Sequence, residues 1–140
     1  MEWTLLTKEQ YVATPWSGGV TNQLAIAPEG AVYADRDFLW RLSSATVELE
    51  RSDFTPLPDY NRWLSVLEGE IRVKVGEEEP FVLSPLGICR FDGGIPVESW
   101  GTCTDYNLML RKGRCAGSLE CLRPAGALVW RLPGRQAEYP

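Results

Sequence analysis

The chain has 140 residues, 44% of them apolar and 24% charged, enough for one domain with its own core and far from a disordered make-up. A formal net charge of −5 argues against general nucleic-acid binding, which needs a basic face, while leaving room for a local basic pocket. No stretch reaches the length of a membrane-spanning helix, and Met1-Glu2-Trp3-Thr4 lacks the basic-then-apolar order of an export signal, so the expected setting is the cytoplasm with no membrane partner.

Strand signals dominate along the chain. Ten prolines and 13 glycines punctuate it about every ten residues, the spacing expected of an all-β sandwich or barrel. Early turns fall at Trp16-Ser17-Gly18-Gly19 and Pro28-Glu29-Gly30. Phe38 to Glu48 is the longest run rich in β-formers and free of Gly and Pro. After the Pro56-Leu57-Pro58-Asp59 loop, Trp63 to Glu70 reads as a strand that turns at Glu68-Gly69. Ile71, Val73 and Val75 alternate with Arg72 and Lys74, which predicts a half-buried strand with the apolar set in the core. An acidic hairpin tip, Glu77-Glu78-Glu79, leads to the short strand Phe81-Val82-Leu83, and turns follow at Ser84 to Gly87 and at Asp92-Gly93-Gly94. Asp105-Tyr106-Asn107 reads as the entry to a strand through Leu108-Met109-Leu110, and Pro124-Ala125-Gly126 as a further turn. There is no internal repeat, linker or helical period. The expectation is one all-β domain over residues 1–140, with 133–140 a loose tail.

Chemistry-bearing residues are few, and histidine is absent. The cysteines at 89, 103, 115 and 121 contain no Cys-x-x-Cys pair, so a zinc site or disulfides are disfavoured and they read as mostly buried apolar fillers. No metal and no cofactor is expected. Arg41 alternates with Leu39, Ser43, Ala45 and Val47. If that set faces the interior, Arg41 is a buried cation in need of a partner, such as Glu48 or Asp105; otherwise it snorkels to the surface. Arg62 opens the strand leading to Gly69, as a pocket residue or an exposed loop cation. Asn107 offers both a donor and an acceptor to a carboxylate or amide, or serves as a turn residue beside Asp105. Backbone N–H groups of the Trp16–Thr21 loop and the Thr21 hydroxyl fit around an anion, or form an ordinary tight turn. Trp16 is a candidate pocket wall.

Taken together, several fragments carry a resemblance. They are Pro15 to Thr21, Phe38 to Glu48, Phe54 to Arg62, Leu67 to Glu70, Phe91 to Pro96 and Asp105 to Gly113. In that order they resemble the HutD/Ves family of cupin-like bacterial proteins, over roughly residues 11 to 113. The resemblance implies a double-stranded β-helix, the RmlC-like cupin jelly roll, without a catalytic metal. Counted back from Gly69 by cupin spacing, the metal-binding glutamate would fall at position 62, where this chain has Arg62. For HutD members the resemblance implies an association with histidine utilisation and a pathway intermediate such as formylglutamate as ligand; for Ves members, a stress association with no settled ligand. Two departures stand out. The family's Pro-Trp-Lys-Asn-Gly-Gly-Gly loop is shortened here, with Ser17 and no lysine, and the Arg-Glu that commonly follows the threonine is replaced by Asn22-Gln23. The chain is also shorter than the pattern, so the second cupin-like half is expected to be trimmed.

Three functions are compatible with these residues. The first is a metal-independent binder or regulator of a small organic acid, held by Arg62 and Arg41 with Asn107, Thr21, Trp16 and Asp105 around them. The second is a degenerate cupin with a filled pocket, acting as a scaffold for a partner or as a homodimer. The third is a metal-free isomerase or lyase with Glu48 or Asp105 as base and Tyr60 as acid. An arginine-lined cavity without a poised base would favour the binder, and a cavity too small for a few heavy atoms the scaffold.

Overall fold

A computed structural model describes residues 7–121 and, for their backbone, Leu128–Leu132 and Arg135–Tyr139. The strands in chain order are β1 (Val12–Trp16), β2 (Gly19–Ala27), β3 (Trp40–Val47), β4 (Arg51–Asp53), β5 (Tyr60–Gly69), β6 (Ile71–Val75), β7 (Phe81–Leu83), β8 (Ile88–Asp92), β9 (Val97–Trp100), β10 (Cys103–Arg111), β11 (Leu128–Leu132) and β12 (Arg135–Tyr139). Helical structure among the described residues is limited to two single 3₁₀ turns, Lys8–Gln10 and Tyr33–Asp35.

Ten of the strands form two antiparallel sheets, one ordered β1-β2-β3-β10-β5-β8 and the other β4-β9-β6-β7. This is the jelly-roll architecture of cupins, as the sequence pattern and the resemblance lead one to expect. β11 and β12 pair only with each other. Residues Arg135–Tyr139, within the span read as a loose tail, form a strand paired with Leu128–Leu132. The turn expected at Pro124-Ala125-Gly126 lies outside the described residues.

The core falls into two clusters. Leu64, Val66, Ile71, Val73, Leu83, Phe91 and Val97 pack between the sheets, with Val75 partly buried against them. The alternating strand thus places Ile71, Val73 and Val75 as its pattern predicts. Each such fully buried side chain contributes on the order of 1.5–3 kcal/mol relative to exposure. Phe38, Leu57, Tyr60 and Met109 form the second cluster, in which the Phe38 and Tyr60 rings stack with centroids 4.3 Å apart. The hairpin joining β5 to β6 turns at Gly69, whose φ of +85 only glycine adopts readily. Cys89 and Cys103 pack partly buried against the first cluster, and burial pushes both thiols up to about 11, which keeps them protonated and unreactive. Cys115 is half-buried, but Cys121 is exposed, contrary to its reading as a filler.

Candidate functional site

Register across the larger sheet explains how the site forms. Met109 of β10 lies opposite Arg41 of β3 on one side and Arg62 of β5 on the other. Residues paired across antiparallel strands present their side chains to the same face, so both arginines share the inner face, with backbones about 10 Å apart at the usual strand spacing. One level along, Asn107 lies opposite Ser43, which in turn lies opposite Gln23 of β2. The next level pairs Ala45 with Thr21 and Thr21 with Thr14 of β1. These levels floor a cavity of about 650 Å³, closed on its other side by the Ala31–Ala34 segment and by Ser52 to Thr55.

Two irregularities aim the polar groups. The β2–β3 register shifts between Gln23 and Ala25, so Gln23 and Ile26, three residues apart, both oppose inward residues of β3. A second shift lies between Thr104 and Asp105 in the β10–β5 ladder. At that point Ala45 N–H donates to Asp105 Oδ1 (3.0 Å), and Ser44 Oγ donates to the Asp105 carbonyl (2.6 Å).

Arg62 is 5% exposed and Arg41 7%. The Arg62 guanidinium lies 5.3 Å from the Phe54 ring centroid and 5.4 Å from that of Phe91. It donates through Nη1 to the Thr55 carbonyl (3.1 Å) and through Nη2 to Asn107 Oδ1 (3.4 Å), while its buried Nε has no partner. Arg41 donates through Nε to Gln23 Oε1 (2.9 Å) and sits 4.0 Å from the Tyr33 ring centroid. Arg36 approaches the same ring, also at 4.0 Å. Among the described residues neither Arg41 nor Arg62 forms an ion pair; those present, Arg51 with Asp53 and Glu98 and Lys112 with Asp92, lie at the surface. Burial pushes Arg62 down to about 10, against the favourable fields of Tyr33 and Asp105, and it remains a cation at neutral pH. Burial lowers Arg41 as well. Asp105 is pushed up to about 6 by burial, a rise held back by the Ala45 N–H and by Arg62.

All six residues singled out in the sequence line this cavity, though several sit differently from expectation. Arg62 is a buried pocket residue and not an exposed loop cation, because Tyr60 and Leu64 on either side of it are core residues that draw β5 inward. Arg41 is bonded to Gln23 instead of to Glu48 or Asp105. Asp105 and Asn107 lie inside β10, not at a strand entry, since pairing already begins at Cys103. Thr21 belongs to β2, beyond a tight turn at Ser17-Gly18, and Trp16 closes the end of β1. Gln23, Tyr33 and Phe54 were missed, and of these only Gln23 had a sequence signal, as one of the family departures. Glu48 is exposed, and the Tyr60 hydroxyl is spent on the Phe38 carbonyl (2.6 Å) in the core. Of the residues in the enzyme reading, Glu48 and Tyr60 are therefore not brought together at the cavity, while Asp105, the alternative base, lines it without Tyr60 beside it in the lining. Among the described residues no cluster of metal-ligating side chains is present.

A jelly roll of two antiparallel sheets with a polar cavity on the inner face of the larger one defines a cupin-like protein. The chain belongs to the HutD family, whose model matches residues 8–136. It is similar to a conserved protein of unknown function from Pseudomonas aeruginosa PAO1, with 32% identity and a TM-score of 0.77 over 89% of this chain and 66% of that one. It is also similar to HutD from Pseudomonas fluorescens SBW25, solved in a formate condition, with 29% identity and a TM-score of 0.66 over 76% of this chain and 59% of that one. The chain thus spans less than two thirds of the length of these two relatives. A cupin domain of an XRE-family transcriptional regulator from Enterobacter cloacae shares the fold at 18% identity and a TM-score of 0.52, over 67% of this chain and 97% of that one. A comparison with curated proteins gave no match.

Proposed function

We propose that this HutD-type protein binds a small organic acid without a metal, as a sensing or regulatory protein. The observation behind this reading is that two buried guanidinium groups line one open cavity with no carboxylate partner for either among the described residues. A buried cation without a counter-ion is costly, and a carboxylate ligand offsets that cost. The arginines also set the neighbouring amides. Because Arg41 donates to Gln23 Oε1 and Arg62 to Asn107 Oδ1, the NH₂ group of each amide is left to donate elsewhere. The site is rich in donors, which suits an acceptor-rich anion. Arg41 is the direct contact, since its Nη groups have no partner among the described residues, whereas both Nη groups of Arg62 are engaged. An open volume of about 650 Å³ is more than a filled scaffold would leave.

The test is a thermal-shift screen of the full chain against short monocarboxylates, dicarboxylates, formylated amino acids including formylglutamate, and sugar acids. A ligand of the folded state raises the melting temperature with concentration. A carboxylate that does so for the wild type and not for Arg41→Met supports the reading. Equal response of the two proteins, or none from any acid, rejects it.

A further inference from the structure

The cavity is polarised along its length. Its cations stand at one end, where Arg41 and Arg62 flank Met109. Neutral amides and hydroxyls follow at the level of Gln23, Ser43 and Asn107. Six residues further along β3, about 20 Å at strand rise, the inner face ends in Ala45 and the buried Val47, beside Trp16. Trp16 is 37% exposed, so at this end apolar surface continues from the inner wall to the rim. Apart from the two arginines, the charged residues lining the cavity among the described residues are Asp53 and Asp105, both carboxylates. Asp53 is held by Arg51 at 3.1 Å and Asp105 by the Ala45 N–H. A second carboxylate on a ligand that extends along β3 away from the arginines would meet Asp105 at the level of Ala45 and apolar walls, with no further cation among the described residues to receive it.

From this gradient we infer that the cavity selects a monocarboxylate with an apolar tail, its head at Arg41 and its tail directed along β3 toward Val47 and Trp16, over a dicarboxylate of the same length. This rests on the organic-acid reading above and narrows it. Two features point the same way independently: among the described residues no cation lines the cavity at the level of Ala45 and Val47, and Trp16 leaves an uncovered apolar rim there. A tail that removes apolar surface from water gains about fourfold in affinity for each methylene buried. A second ionised group placed there loses its hydration without gaining a partner.

The experiment is calorimetric titration of the full chain with acetate, butyrate, hexanoate and octanoate, and with succinate, adipate and suberate, adding N-formylglutamate as a compact dianion. The expected result is affinity that climbs by up to about fifteenfold per two carbons along the monocarboxylates, with hexanoate at least tenfold tighter than adipate. Trp16→Ala, a change at a partly exposed position, should flatten that climb. Equal or tighter binding of the dicarboxylates or of N-formylglutamate, or affinity that does not change with chain length, overturns the tail assignment and leaves the organic-acid reading standing. If neither series binds, the organic-acid reading falls and takes this inference with it.

Discussion

Arg41 donates through Nε to Gln23 Oε1 at 2.9 Å, so the hydrogen-bonded partner of this buried cation is a neutral amide. In the HutD/Ves pattern a glutamate commonly stands at this position, and it would place a counter-charge against the guanidinium. With glutamine the charge stays uncompensated and free to act on a ligand.

Gln23→Glu is therefore expected to stabilise the ligand-free protein, by about 1–3 kcal/mol for a hydrogen bond that becomes charge-assisted. The same change should weaken carboxylate binding by tenfold or more, because the ligand must compete with a resident anion. Melting temperatures and titrations of both proteins check the two effects together. Unchanged affinity would remove Arg41 from the site.

Arg62→Met keeps an unbranched stem between Phe54 and Phe91 while removing the charge. The arginine forms no ion pair among the described residues, so its loss leaves no buried carboxylate stranded within bonding distance. The ligand-free melting temperature should hold or rise. Carboxylate affinity should fall more modestly than for a change at Arg41, because Arg62 acts through its charge and through the Asn107 amide it orients, not through a contact of its own. A variant that melts lower yet keeps the full ligand-induced shift would mark Arg62 as a structural group.

Asp105 gives a pH signature. Its folded-state value of about 6 stands above its ordinary 3.8, so between those limits the folded protein holds a proton that the unfolded chain has released. Stability from this group therefore falls as pH rises through that window and is flat above it, a loss on the order of 3 kcal/mol. Asp105→Asn retains an oxygen for the Ala45 N–H and should be the more stable protein above about pH 6, without that slope. Carboxylate affinity of the wild type should also weaken as pH rises through about 6, as Asp105 becomes an anion in a cavity that seeks one. Denaturant melts of the two proteins across this range, with one titration at each end, decide it.

Period-two alternation and turn chemistry made most of the fold legible. Ile71, Val73 and Val75, and the inward set Arg41, Ser43 and Val47, follow directly from spacing. What spacing conceals is a change of phase. The shift after Gln23 puts Gln23 and Ile26 on one face, and the shift at Asp105 turns a side chain into a ladder acceptor. Neither leaves a mark in composition, since bulges without glycine look like continuous strand. Tyr33 and Phe54 escaped because they reach the cavity from loops outside the larger sheet, brought in by tertiary packing alone. The identity of the cations was readable, but their depth was not: that depends on Tyr60 and Leu64 anchoring β5 from both sides.

That anchoring extends to Gly93. Its N–H donates to the Tyr60 carbonyl (2.8 Å) and its own carbonyl accepts from Leu57 N–H (2.7 Å), fastening the end of β8 to the loop that delivers Arg62. A Cβ at Gly93 would stand 2.5 Å from the Leu57 oxygen, 2.7 Å from the Tyr60 oxygen and 3.3 Å from Arg62 Cδ. The first two are backbone atoms and cannot rotate aside, so the start of β5 must shift. Gly93→Ala should therefore destabilise the protein by roughly 1–3 kcal/mol, as overpacking does, and weaken carboxylate binding because Arg62 moves with the strand. Gly117→Ala is the matched control, since its Cβ would meet only Leu110 methyl groups at 3.6 Å; it should stay within about 0.5 kcal/mol of wild type. If Gly93→Ala melts and binds like this control, the β8 turn does not set the position of Arg62.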